Sequence, residues 1–179
     1  LPIYKSIDKE LILDPILSFT AALIIASKNG DLDFVKFLIE NGVNINNGNA
    51  LRWASENGQL NIVKYLVQNG ANINADDGFA LRNASKNGHL DVVKYLVQNG
   101  ANSNINKALE LASESGHFDI FDYLYKKGAN FDIYLYNEIV EKSQLDDKKY
   151  ENYKKIINTM YNVLKTNYKN LEKGKKLNI

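Results

Sequence analysis

Apolar positions along the chain follow one short rhythm that restarts several times. In its clearest copy Ala80, Leu81 and Ala84 stand at i, i+1 and i+4, an apolar stripe on a short helix. The alanines are small, so a neighbouring helix can approach closely. Gly88 interrupts the pattern where a positive φ is cheap, and the helix is predicted to end there. Asp91 follows near the start of a second helix, a place suited to capping and to the helix dipole. Val92, Val93, Leu96 and Val97 give that helix its buried face. Gly100 ends it, and the polar run Asn102–Asn106 leads onward. The unit is predicted to be helix–turn–helix plus a loop. It cannot bury both of its faces alone, and stacking of neighbours buries a continuous core.

The same frame recurs at Ala22–Gly30, Ala50–Gly58, Ala80–Gly88 and Ala108–Gly116, so the turn glycines repeat at intervals of 28, 30 and 28 residues. A second block follows each of them: Asp31–Ile39, Gln59–Val67, His89–Val97 and His117–Tyr125. Each of these runs into a glycine and a small residue, as at Gly70-Ala71 and Gly100-Ala101. The expected organisation is a degenerate N-terminal cap at 1–17, repeats at 18–47, 48–75, 76–105 and 106–133, and a C-terminal cap at 134–179. In the first cap Ser6–Leu13 occupies the place of an earlier second helix, and Pro15 limits it. In the last cap Tyr134–Lys142 fits a fifth first helix. Asp146 and Asp147 then open a long amphipathic helix with Tyr153, Ile156, Ile157, Met160, Leu164 and Tyr168 at helical spacing.

At 179 residues the chain is expected to be one domain with a sizeable core. It holds no cysteine, which excludes a disulfide framework, a thiolate metal site and a cysteine nucleophile. The 25 asparagines are read as the mark of AT-rich codons and discounted as a functional signal. Net charge is +1, so the whole chain is not a strongly basic nucleic-acid binder. The charge is uneven: residues 142–179 hold ten Lys against four acids, residues 1–141 twelve Lys and Arg against seventeen. The basic end reads as the solvated side of a cap helix, the alternative being contact with an acidic partner, nucleic acid or a membrane surface. It contains no Arg, which argues against phosphate recognition. The apolar stretch Ile16–Ala26 is broken by Ser18 and Thr20 and falls short of the roughly 18 residues of a membrane span. Leu1–Asp14 carries mixed charge where a secretory signal needs a basic start and an apolar run. A soluble, intracellular protein is expected.

Little in the sequence supports chemistry. His89 and His117 share one repeat position, which favours a structural role. No metal-binding His or Cys spacing and no phosphate-cradling glycine loop occurs. Asp76-Asp77 reads as a solvated pair in a loop, with a weak cation site as the alternative. The expectation is no catalysis, no cofactor and no metal. Trp53 is the sole tryptophan, at a place where other copies carry Ile25, Asn83 and Leu111. It is either a core residue or a partly exposed binding anchor.

The pattern Ala-Leu-x-x-Ala-Ser-x-x-Gly-His-Leu-Asp-Val-Val-Lys-Tyr-Leu-Val-x-x-Gly-Ala-Asn, best seen at Ala80–Asn102, resembles the ankyrin repeat. The resemblance covers roughly Ser18–Asp132. It implies an all-α, curved solenoid of stacked helix-turn-helix units. The family period is about 33 residues; the residues missing here fall at Asn46–Asn49, Asn74–Phe79 and Asn104–Lys107. The projecting β-hairpin fingers should therefore be stunted. The family's Thr-Pro-Leu-His start is replaced, as by Phe79-Ala80-Leu81-Arg82, and its Gly-Ala-Asp reads Gly-Ala-Asn. Short periods and Asn-rich loops resemble the ankyrin proteins of giant viruses that infect amoebae.

The resemblance further implies a non-catalytic module that binds a protein, a host protein if the chain is viral, and works as a monomer without membrane or nucleic acid. The binding face would be the finger tips and the exposed side of the first helices. Mapped onto this chain, it comprises Asn47, Asn49, Arg52, Trp53, Glu56 and Asn57 from one copy. The next copy gives Asp76, Asp77, Phe79, Arg82, Lys86 and Asn87, and the last Ile105, Lys107, Glu110 and Glu114. One alternative is a substrate adaptor for a ubiquitin ligase, disfavoured because Tyr134–Ile179 has no F-box-like Leu-Pro motif. Another is a degenerate remnant without a partner.

Overall fold

The computed structural model describes residues 15–47, 49–144 and 149–172. The expectations for Ser6–Leu13 and for Asp146 and Asp147 fall outside the described residues. The helices are α1 Pro15–Asn29, α2 Leu32–Glu40, α3 Asn49–Glu56, α4 Leu60–Gln68, α5 Ala75–Lys86, α6 Leu90–Gln98, α7 Ile105–Glu114, α8 Phe118–Lys126, α9 Ile133–Ser143 and α10 Tyr150–Glu172. Among the described residues there is no strand. The expected finger is thus reduced to a 3-10 turn at Ile45–Asn47 or to a few residues of turn.

Helices α1, α3, α5, α7 and α9 pack on one another in sequence as one layer. Helices α2, α4, α6 and α8 form the second, each also packed on the first helix of its own copy. The core lies between the layers. Leu23, Leu51, Leu81 and Leu109 enter it from the first helices, and Leu38, Leu66, Leu96 and Leu124 from the second. Ala54, Ala84 and Ala112 are fully buried, and with Ser55, Ser85 and Ser113 beside them they leave room for the next helix. A Leu→Ala change at such a site typically costs about 2–5 kcal/mol.

Helix α10 packs on both α9 and α8, so it completes a fifth helix pair. Tyr153, Ile156 and Met160 are buried, and Ile157 and Leu164 are half-buried. Tyr168, placed by its spacing on the same apolar face, is instead 63% exposed. Copy four differs from the others where it meets this cap. Phe121 stands where earlier copies have valine, and its ring packs with Tyr125 and Phe131 at centroid distances of 6.2 and 6.0 Å.

Each helix leaves orphan carbonyls at its end. The turn glycine and the residue after it satisfy them. The N–H groups of Ala71, Ala101 and Ala129 return to the carbonyls of Leu66, Leu96 and Leu124 at 2.9–3.0 Å. Asparagines add a side-chain bond: the amides of Asn41, Asn57, Asn69, Asn87 and Asn99 each donate to the carbonyl four residues back, at 2.7–2.9 Å. Asparagine at these helix ends has a defined structural use. Asp91 also changes role. The helix α6 cap is His89, and the Asp91 carboxylate accepts from the N–H of Val92, at 2.8 Å, inside the first turn.

One contact recurs at every described junction between copies. The first residue after the turn glycine donates from its side chain to the last turn of the preceding first helix. Gln59 Nε2 donates to the Lys28 carbonyl at 3.3 Å, His89 Nε2 to Glu56 at 2.9 Å, and His117 Nε2 to Lys86 at 3.0 Å. A carbonyl only accepts, so Nε2 carries the hydrogen in both histidines. At the cap the Tyr153 hydroxyl donates to the Glu114 carbonyl at 2.9 Å. The histidines are therefore structural, as their shared position implies. The contact leaves no room beside the turn: a Cβ at Gly88 would stand 2.7 Å from Cε1 of His117.

A second bracket joins the loops. Asn74 Oδ1 accepts from the N–H groups of Asn102 and Ser103 at 3.1 Å, and its amide donates to the Gly100 carbonyl. Asn106 Oδ1 accepts from Asn130 N–H at 2.9 Å. The longer interval of copy three is taken up by Asp76, Asp77 and Gly78, all left-handed at φ 49, 57 and 72°. The regular part of α5 thus begins at Phe79. Gly78 approaches the next loop so closely that a Cβ would meet the Ser103 carbonyl oxygen at 2.3 Å.

Two variants separate backbone strain from crowding. Gly88 (φ +83°) is crowded by His117, whereas Gly100 (φ +96°) has nothing within 4 Å of a Cβ. Gly100→Ala is expected to cost about 1–2 kcal/mol from the left-handed backbone alone. Gly88→Ala should cost more in urea denaturation, with part of the excess recovered in Gly88→Ala/His117→Ala. Equal costs would refute the crowding. A pH series tests the junction itself. Burial lowers the His117 pKa below 6.5, reinforced by the Lys149 and His89 charges and opposed by the Lys86 carbonyl bond. The unfolded chain then takes up the proton first, so this contribution to stability is intact above about pH 6.5 and lost as pH falls toward the folded value. His117→Gln, which borrows the solution used at Gln59, should lack that slope. Parallel stability curves for the two proteins would count against it.

Candidate partner-binding face

The turns fix which side of each first helix remains open. Within Ala-Leu-x-x-Ala-Ser, the Ala, Leu and Ser positions go inward, and the two intervening positions lie between the core and solvent. In α3 these are Arg52 and Trp53, in α5 Arg82 and Asn83, and in α7 Glu110 and Leu111. All six are half-buried.

Copies two and three meet in one cluster. Two guanidinium groups lie over the Phe79 ring, with Arg52 Cζ 4.7 Å and Arg82 Cζ 4.2 Å from its centroid. Both distances are within the range of cation–π attraction. Arg52 also lies 5.4 Å from the Trp53 ring, and Lys28 Nζ 5.2 Å. Arg82 Nη2 donates to the Asp76 carbonyl at 3.2 Å, which ties the left-handed turn to the helix. Glu56 is drawn two ways: its carboxylate accepts from Asn83 Nδ2 at 2.7 Å and stands 4.0 Å from Arg52 Nε. The Nε atoms of Arg52 and Arg82 are buried without a hydrogen bond.

Copy four is arranged differently. Lys107 pairs with Glu110. Lys142 of α9 pairs with Glu138 at 2.8 Å and with Glu114 at 3.5 Å. Burial works against the Lys142 charge, but these two carboxylates outweigh it and raise its pKa. Glu110 and Glu114 are thus neutralised within the fold. Among the described residues Lys28, Arg82 and Lys86 have no carboxylate in ion-pair range.

Of the sixteen residues expected on the face, six are joined by direct contacts. Arg52, Trp53, Glu56, Phe79 and Arg82 come together, with Asp76 joined through its carbonyl. Asn57 and Asn87 are exposed, but their amides close their own helix ends. Ile105 packs against the core at the start of α7. Asp76 and Asp77 are exposed, Lys86 is exposed at the end of α5, and Asn49 is half-buried at the start of α3. Lys107, Glu110 and Glu114 are half-buried and paired as described, and the side chain of Asn47 lies outside the described residues. Trp53 is half-buried and outside the core, with cations against its ring. Lys28, Asn83 and Lys142 were not anticipated. Lys28 shares the repeat position of Lys86, so the sequence frame carried its signal.

Among the described residues no group of His, Cys, Asp or Glu could hold a metal ion, and no helix is long and apolar enough to cross a membrane. The family profile for ankyrin repeats (3 copies) matches residues 6–77 and 75–134, and the chain belongs to the ankyrin-repeat family. No curated protein matches it. Ankyrin repeats generally mediate protein–protein interaction, and proteins built from them are generally not enzymes.

Proposed function

We propose that this chain is a non-catalytic recognition module that binds a protein partner through the open side of its first helices. One observation carries the reading: the open positions diverge between copies, whereas the second helices of copies two and three both read Val-Lys-Tyr-Leu-Val. Arg52, Arg82 and Glu110 occupy one repeat position there, and Trp53, Asn83 and Leu111 the next. The second helices instead reproduce one contact, Lys64 Nζ over Tyr95 and Lys94 Nζ over Tyr123, each at 6.0 Å. Stacking demands sameness, whereas a specific surface allows difference.

The proposed units are repeats at 18–47, 48–75, 76–105 and 106–133, with caps at 1–17 and 134–179. The short period and asparagine-rich loops support a virus-encoded host-interaction or scaffold protein acting as a soluble intracellular monomer.

The test is a tagged pull-down from amoebal lysate, read by mass spectrometry, beside the variant Arg52→Glu/Arg82→Glu/Lys86→Glu. The variant is expected to keep its helical circular dichroism and lose the partner. A folded variant that captures the same proteins as the wild type would place recognition elsewhere. Ligase subunits in the wild-type catch would move the reading to a ubiquitin-ligase adaptor.

A further inference from the structure

The charges on the open side of the first helices are unequally satisfied. Its acids in copy four are paired inside the fold, Glu110 with Lys107 and Glu114 with Lys142. Its cations in copies one to three are not: Arg52 has only Glu56 at 4.0 Å, and Lys28, Arg82 and Lys86 have no carboxylate in range among the described residues. Glu56 is itself bound by Asn83 at 2.7 Å. The unmatched charge on this stretch of the face is positive. Asp76 and Asp77, exposed on the adjoining turn, also have no ion pair among the described residues and oppose it from one side.

The two guanidinium groups are also fixed in place. Both rest on the Phe79 ring, which puts their central carbons within about 9 Å of each other. An extended peptide places alternate side chains on one side at about 6.6 Å intervals. Two carboxylates at alternate positions can therefore each meet one guanidinium, the group best shaped for carboxylate. Stacking on Phe79 has already removed much of the side-chain freedom that binding would otherwise cost. Beside the pair, Trp53 offers an apolar ring for a neighbouring side chain.

We infer that the Arg52–Phe79–Arg82 stack binds an extended acidic segment of a partner protein, with carboxylates at alternate positions held by the two arginines. The inference rests on the recognition reading above and adds the chemistry of the partner.

The sole tryptophan lies at the site and serves as the probe. Full-length protein is titrated with a blocked peptide of alternating serine and glutamate, with Trp53 emission as the signal. The same titration is run with glutamine at every glutamate, and with single-stranded oligothymidylate. The acidic peptide is expected to give a saturable change that weakens with added salt, and the glutamine peptide none. Arg52→Gln and Arg82→Gln should each weaken binding about tenfold, the loss expected for one charge-assisted contact. Asp76→Asn/Asp77→Asn should strengthen it, and asparagine tolerates the left-handed backbone. No saturable change with the acidic peptide, or an unchanged affinity in both glutamine variants, overturns the inference. A response to oligothymidylate alone, lost in those variants, overturns it in favour of a nucleic-acid phosphate chain. The recognition reading fails separately. A lysate partner kept by the double variant Arg52→Gln/Arg82→Gln but lost on Trp53→Ala refutes the acidic segment and leaves the binding face standing.

Discussion

The structure depends on one hydrogen bond made repeatedly: a side chain after each turn donates to the exposed carbonyl end of the helix in the copy before. The acceptor is an orphan that every helix end possesses, so no special residue is needed on that side. The donor is Gln59, His89 or His117, and at the cap the hydroxyl of Tyr153. Because the donor reaches across the turn, it fills the space a side chain on the turn residue would need. Glycine is required there for room as well as for φ. The same bond sets how one copy lies on the next, which in turn allows the alanine and serine positions to bury fully.

The division between the two sides of the array follows from this. The second helices carry the donors, and those of copies two and three are nearly identical in sequence. To this hydrogen bond the first helices supply only a backbone carbonyl, and a carbonyl is indifferent to the side chain it belongs to. Lys28, Glu56, Lys86 and Glu114 all serve as acceptors. Their open positions are free to diverge, and they hold a guanidinium–phenyl stack at one end and closed ion pairs at the other.

Much of this was legible in the sequence because the information is local or periodic. The helix pairs, the turns and the structural rank of the histidines all follow from spacing. The asparagine count has two causes. Composition explains how many there are, but not why Asn57 and Asn87 precede turn glycines and close the helix with a side-chain bond. The Phe79 stack was out of reach for another reason. Arg52 and Phe79 are 27 residues apart, and their meeting depends on a left-handed turn at Asp76–Gly78 that nothing in the repeat frame specifies. Lys142 could not be placed without knowing that α9 lies against α7. Tyr168 obeys the period of its helix but is left exposed, since periodicity says which side a residue takes and not how far the packing partner extends.

Tyr153 makes the last junction with a residue unlike any other in the ladder, yet it addresses the same acceptor. Since each described junction ends on a backbone carbonyl, this one bond of the cap could be made to the first helix of any copy. Recombination that adds or deletes a whole copy would thus leave compatible ends on both sides of the splice. In such a chain the length of the array can change while this hydrogen bond is kept, and only the side chains that meet the cap, such as Phe121 and Glu114, need to be matched anew.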